Sequence, residues 1–252
     1  VNSDIQIDQQ GSIVRLALSR APHNFFDIDM IEKLASILED CDRNPSVRVT
    51  ILTSDLKNFC AGADFGGGEK PDAEPVYTTA IRLVRRRKPM IAALSGASVG
   101  GGLGLALTAD LRVGDDTCWF QANFTRIGIS AGFGISHTLP TVVGQQCARD
   151  LLVTSRRIAA PEALAIGLLD RIAPPGHLQE TAFALAKEIA TNSPTATIIS
   201  RLLLGEDDGD LFAAAVSREL AHQKPLFETN DFSEGVRAAA ERRAPRFADW
   251  QE

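Results

Sequence analysis

The chain has 252 residues, 44% of them hydrophobic and 23% charged, with a formal net charge of −6. Those proportions suit a folded globular protein able to bury a sizeable core as one large domain or two small ones, and the acidic balance argues against a polyanionic partner such as nucleic acid. Four cysteines without C-x-x-C spacing, four histidines without a metal-binding spacing, a polar start and no apolar run near the roughly 20 residues of a membrane span lead us to expect a cytoplasmic protein with no disulfide framework, metal or membrane partner.

Ser12 to Ser19 alternates and reads as a strand, broken at Pro22. Asp29 opens an acidic capping box with Glu32. Ile31, Leu34, Ala35 and Leu38 follow at helical spacing to a stop at Asn44-Pro45. Val47 to Thr53 reads as a second strand. A long, glycine-rich, acidic loop from Asn58 to Pro75 leads into a helix through Lys88. Its closing run, Arg85-Arg86-Arg87-Lys88, reads as cations at a helix C-terminus. Pro89 to Gly96 reads as a buried strand, and Leu111 to Phe120 as one or two short strands around Gly114-Asp115-Asp116. From Pro161 onward the pattern is nearly all helix, the last one opening on a capping box from Asp231 to Glu234. Strands and helices that alternate first, with helices accumulating later, predict an α/β fold with a helical C-terminal layer.

Between the buried strand and its helix lies "SVGGGLGLALTAD", Ser98 to Asp110, with no charge before its last residue. A phosphate-binding P-loop needs a Lys that is absent here, and a dinucleotide fingerprint breaks at Leu107. Gly96-Ala97-Ser98-Val99-Gly100 matches a nucleophile elbow letter for letter, but His137, His177 and His222 lie in no recognisable triad context. Two readings remain. The glycines either bare backbone N–H groups at a helix N-terminus, where a negative oxygen is favoured, or allow tight packing of helix on sheet. "KNFCAGADF", Lys57 to Phe65, also follows a strand and ends in small residues. Two such turns could give two donors to one oxygen.

At this point the sequence resembles the enoyl-CoA hydratase/isomerase (crotonase) superfamily. "NFCAGADF", "KPMIAALSGASVGGGLGLALTADLRV", "GISAGFGISHTLPTVVG", "AAPEALAIGLLDRI" and "DFSEGVRAAAERRAPRF" are similar to the family's segments in order, with Ala131 in place of a usual Pro. The resemblance implies a crotonase-like spiral of ββα units over residues 1–190 and a C-terminal helical trimerisation region over 191–252. It implies a homotrimer or dimer of trimers. It implies an acyl-CoA ligand, with no tightly bound cofactor and CoA entering as part of the substrate. It also implies an oxyanion hole from the backbone N–H groups of Ala63 and Gly101, and a substrate site that takes in Phe25, Ala61, Asp64, Phe65, Gly100, Gly104, Asn123, Phe124 and Gly132.

One departure changes the expected chemistry. Hydratases of this family carry one glutamate two positions after the glycine triplet and another twenty residues on. Here those positions are Gly104 and Phe124. Neither can orient water or carry a proton, help typically worth 10²–10⁴-fold per group. We therefore expect a lyase or isomerase that stabilises an enolate without efficient hydration, or alternatively a non-catalytic acyl-CoA-binding protein. Asp64 is the candidate acid or base, its other reading being an Asp that holds the loop through local backbone bonds. Asp72, Glu74, Tyr77, Asn123, Arg126 and His137 are further candidates, and a gap at Gly104 is expected to enlarge the acyl pocket beside Phe124.

Overall fold

A computed structural model describes residues 4–64, 72–205 and 207–248. In chain order the strands are β1 (Ile5–Gln10), β2 (Ile13–Leu18), β3 (Val49–Ser54), β4 (Met90–Leu94), β5 (Ala97–Val99), β6 (Leu111–Gly114), β7 (Trp119–Gln121), β8 (Arg157–Ala159) and β9 (Arg171–Ile172). The helices are α1 (Ile28–Arg43), α2 (Glu74–Val84), α3 (Gly101–Leu107), α4 (Ile135–Val143), α5 (Gln145–Thr154), α6 (Ala160–Ala165), α7 (Leu178–Ala190), α8 (Pro194–Leu204), α9 (Asp208–Leu226) and α10 (Asn230–Ala240), with a 3-10 turn at Thr125–Ile127.

Six strands form one sheet in the order β1-β2-β3-β4-β6-β9, parallel except for the β1–β2 hairpin. β5, β7 and β8 form a second sheet. Each of the successive units β4-β5-α3 and β6-β7-α4 gives its first strand to the large sheet and its second to the small one. All six residues of β3 and all five of β4 are buried, because helices or the small sheet cover both faces. On one side Val49, Ile51, Ile91 and Ala93 pack on Leu178, Ala182, Leu185 and Ala186 of α7. On the other, Leu52, Ala92 and Leu94 join the main core with α1, α2 and α3.

The helix signals were placed two residues off. Asp27, not Asp29, caps α1, its Oδ1 accepting from Met30 N at 3.0 Å. Thr229, not Asp231, caps α10, and Glu234 instead accepts from Arg246 N at 2.9 Å and Arg243 Nη2 at 3.0 Å. The basic run begins where α2 ends. Arg86 is buried and donates to Leu83 O (2.8 Å), Thr108 O (2.6 Å) and Asp110 Oδ2 (2.6 Å). Lys88 Nζ donates to Cys41 O and Asn44 O, both at 2.6 Å. These cations therefore close the C-terminal ends of α1 and α3 as well as that of their own helix, satisfying carbonyls that a helix leaves unpaired.

Candidate active site

The site is set by backbone pairing. Phe59 N donates to Ser95 O (2.8 Å), Cys60 N to Ala97 O (3.0 Å) and Val99 N to Cys60 O (3.0 Å). Cys60 and Ser98 thus form a parallel bridge. Three residues further along each segment stand Ala63 and Gly101, carried side by side by that register. Gly62, at φ +96°, needs to be glycine here: a Cβ would lie 2.9 Å from Val99 O and 3.4 Å from Gly101 N.

A second strap holds the loop from its other edge. Phe26 N donates to Gly62 O (2.9 Å) and Ala61 N to His23 O (3.0 Å). Buried Asn24 reaches Ser54 Oγ (2.7 Å), Asn58 O (3.1 Å) and Phe59 O (3.0 Å) through its amide nitrogen. Burial pushes the Cys60 thiol up to about 12, so it is a neutral packing group that donates to Asn24 O. Among the described residues neither the Ala63 N–H nor the Gly101 N–H has a hydrogen-bond partner, whereas Gly100 N donates to Gln121 O at 2.9 Å.

Ala63 and Gly101 both line one cavity of about 320 Å³. Phe25, Ala61, Asp64, Gly100, Asn123 and Phe124 line it too, so the structure brings most of the expected residues together. Asp64 is exposed at its edge, while Phe124 is buried. Phe65 lies outside the described residues. The sequence reading missed Phe26, Gly62 and Ile127, and also Val236, Ala239 and Ala240, which α10 brings back from far along the chain. Their i, i+3, i+4 spacing marks one helix face but gives no sign of what it covers.

Two expected residues are not in this wall, and packing explains both. A Cβ on Gly104 would lie 2.8 Å from Phe133 Cδ1 and 3.1 Å from its Cβ. The expected gap is therefore filled: Phe133 is fully buried there, against Phe26 at 5.3 Å and Tyr77 at 5.8 Å between ring centroids. Gly132 packs instead on the Tyr77 hydroxyl and the Gln223 amide.

Of the further candidates, Tyr77 and Asn123 line the cavity. Asp72 precedes α2 and Glu74 opens it; Asp72 Oδ1 accepts from Glu74 N at 3.1 Å and Glu74 pairs with Lys224. His137 lies 3.7 Å from Asp208 in a separate hollow, and Arg126 is exposed. Ser98 is fully buried, with no hydrogen-bond partner for its hydroxyl among the described residues, and it does not line the cavity. A nucleophile at Ser98 has no access to a substrate.

The fold, with two unpaired backbone donors at the mouth of a strand-to-helix turn, places the protein among crotonase-like α/β proteins. The enoyl-CoA hydratase/isomerase family profile matches residues 8–251, and the chain belongs to that family. It is 39% identical over 235 residues to a Thermus thermophilus protein named "Putative enoyl-CoA hydratase", covering 87% of this chain and 90% of that one. It is 32% identical to "Probable enoyl-CoA hydratase echA8" of Mycobacterium leprae, covering 89% of each. Among solved structures, an enoyl-CoA hydratase/isomerase from Pseudoalteromonas atlantica superimposes with a TM-score of 0.89 at 26% identity, over 98% of this chain and 100% of that one. Among the described residues no helix is long and apolar enough to cross a membrane.

Proposed function

We propose that this protein is an acyl-CoA thioester enzyme that stabilises an enolate between the N–H groups of Ala63 and Gly101 and is not an efficient standard hydratase. One observation carries this reading. The Cys60–Ser98 register sets two unpartnered amides side by side on the wall of a largely apolar cavity. A thioester carbonyl seated there gains negative charge as the enolate forms, and fixed N–H dipoles in an apolar surround hold that charge without reorganising. Phe124 lines the wall and Phe133 fills the space beside Gly104, and aromatic carbon at either place neither positions water nor supplies the two proton transfers of hydration. No tightly bound cofactor is needed, since CoA enters as part of the substrate. α8 supports the trimer implied by the resemblance, because it exposes Ile199, Leu203 and Leu204.

The test is turnover of a panel of acyl-CoA thioesters by the wild-type chain and by Gly62→Ala. The added Cβ presses on Val99 O beside Gly101 N and shifts the donor pair. Losing one oxyanion donor costs about 10²–10³ in kcat, so we expect a fall of that order with KM little changed. Thioester binding with no turnover by either protein would leave the non-catalytic binding protein as the reading. Rapid hydration of crotonyl-CoA by the wild type would overturn the exclusion of hydratase chemistry.

A further inference from the structure

Resting on the thioester reading above, we propose that Asn123 determines specificity at this site, and that its carboxamide selects an acyl thioester carrying a second carbonyl on C3 of the acyl chain. Of the described residues that line the cavity, only Asp64, Tyr77 and Asn123 have a side chain able to hydrogen-bond. Asp64 stands exposed at the edge. The Tyr77 hydroxyl is engaged by Gln223 Oε1 at 3.0 Å. Among the described residues the Asn123 carboxamide has no hydrogen-bond partner at its oxygen or at its nitrogen.

The backbone puts this group beside the glycine turn. β7 ends at Gln121, whose carbonyl accepts from Gly100 N at 2.9 Å. Ser155 Oγ then holds Ala122 O at 2.9 Å, and Asn123 O accepts from Ile127 N at 3.2 Å. The first glycine of the triplet makes room for the side chain that follows. A Cβ on Gly100, which sits at φ +53°, would lie 2.7 Å from Asn123 Oδ1. The oxygen end of the carboxamide is thus bedded where a side chain at position 100 would be. The nitrogen end lies farther from Gly100, two N–H donors with nothing to bond.

An unpaired amide in a wall shared with Phe124 and Ile127 discriminates between acyl chains. A hydrocarbon chain strips water from the amide and returns no hydrogen bond, whereas a carbonyl oxygen accepts one. A carboxylate fits less well, since the apolar wall leaves its charge uncompensated. Reach sets the position of the carbonyl. Asn123 Oδ1 lies within about 7 Å of Gly101 N, given the 2.7 Å contact and ordinary backbone bond lengths. Oxygens on C1 and C3 of one acyl chain stand about 3–5 Å apart, and a hydrogen bond of about 2.9 Å at each end lets them span such a gap. The thioester oxygen then faces Ala63 and Gly101 while the C3 oxygen takes the Asn123 donor.

The test is isothermal titration of the whole chain with acetoacetyl-CoA, butyryl-CoA and 4-oxopentanoyl-CoA. The wild type is expected to bind acetoacetyl-CoA about 10-fold more tightly than the other two, the strength of one hydrogen bond. Asn123→Leu, close in size and without hydrogen-bonding groups, is expected to bind butyryl-CoA more tightly than acetoacetyl-CoA, inverting the order. A thermal melt shows whether the variant is folded, and Asn123→Ala, with the same expected loss for acetoacetyl-CoA, replaces it if the leucine packs badly. Equal wild-type affinities for the three, a preference for 4-oxopentanoyl-CoA, or an unchanged preference in a folded variant overturns this inference and leaves the thioester reading standing. If the wild type binds no CoA thioester, the thioester reading itself falls.

Discussion

Phe133 occupies the space that a side chain at Gly104 would need. Its Cδ1 lies 2.8 Å from the position of an added Cβ, and it does so from a left-handed backbone at φ +63°. A bulky residue rarely adopts that conformation, which costs about 1–2 kcal/mol, and it is held here by complete burial against Phe26 and Tyr77. Gly104→Glu is therefore expected to destabilise the protein by about 1–3 kcal/mol, the usual penalty of overpacking. Phe133→Gly alone costs about 2–4 kcal/mol, a lost ring partly offset by relief of the backbone. Together they should cost less than their sum by about 1–2 kcal/mol, measured by urea unfolding of the four proteins. Additive losses would mean that the two residues do not compete for one space. On the same grounds Gly104→Glu with Phe124→Glu should gain no crotonyl-CoA hydration while Phe133 is present.

Much of the scaffold was legible because it depends on local pattern. β3 and β4 are continuous apolar runs of strand length, and the glycine triplet marks a turn whatever surrounds it. The two proposed donors come from the family resemblance, and their approach depends on the Cys60–Ser98 register, a pairing across 38 residues that no periodicity records. The caps were misread because Asp27 and Asp29, like Thr229 and Asp231, are chemically adequate, and only the entry angle of the chain chooses between them. β5, three residues long, carries too little pattern to separate it from β4. Phe133 was hidden most deeply, since nothing in "AGFGIS" says that an aromatic residue between two glycines turns left-handed into the space beside α3.

Ser98→Ala separates packing from nucleophilic chemistry. The hydroxyl is buried with no hydrogen-bond partner among the described residues, and an unpaired buried polar group costs about 1–3 kcal/mol. The variant should keep full activity and unfold at an equal or higher temperature. Loss of thioester turnover with an unchanged melting curve would restore Ser98 as a functional residue.

Asp110 gives a pH signature. Burial alone would raise its pKa, but the charges of Arg86 and Arg201, with the Met90 N–H bond, outweigh it and hold the carboxyl below its ordinary value. A depressed folded-state pKa contributes stability above the unfolded value of about 3.8, and that stability is lost as pH falls through the folded value. Asp110→Asn should therefore cost about 3 kcal/mol near neutrality, since it leaves the buried Arg86 guanidinium uncompensated. The gap between wild type and variant should stay level down to about pH 4 and then close. A gap that widened on acidification would contradict the assignment.

The surface of α8 leads to the last test. This helix has no buried residue, and Arg201 ties it to the core by donating to Asp110 Oδ1 at 2.7 Å and Arg86 O at 2.6 Å. It exposes Ile199, Leu203 and Leu204, the last two 70% and 91% exposed, and Leu211 at the start of α9 is exposed too. Apolar residues gathered in this way are characteristic of association surfaces. We expect light scattering to give three or six times the chain mass, and Leu203→Asp with Leu204→Asp to shift it toward one chain while circular dichroism stays unchanged. A wild-type protein that runs as a monomer at micromolar concentration would remove the trimer from the proposal. It would leave the cavity untouched, because none of these leucines lines it.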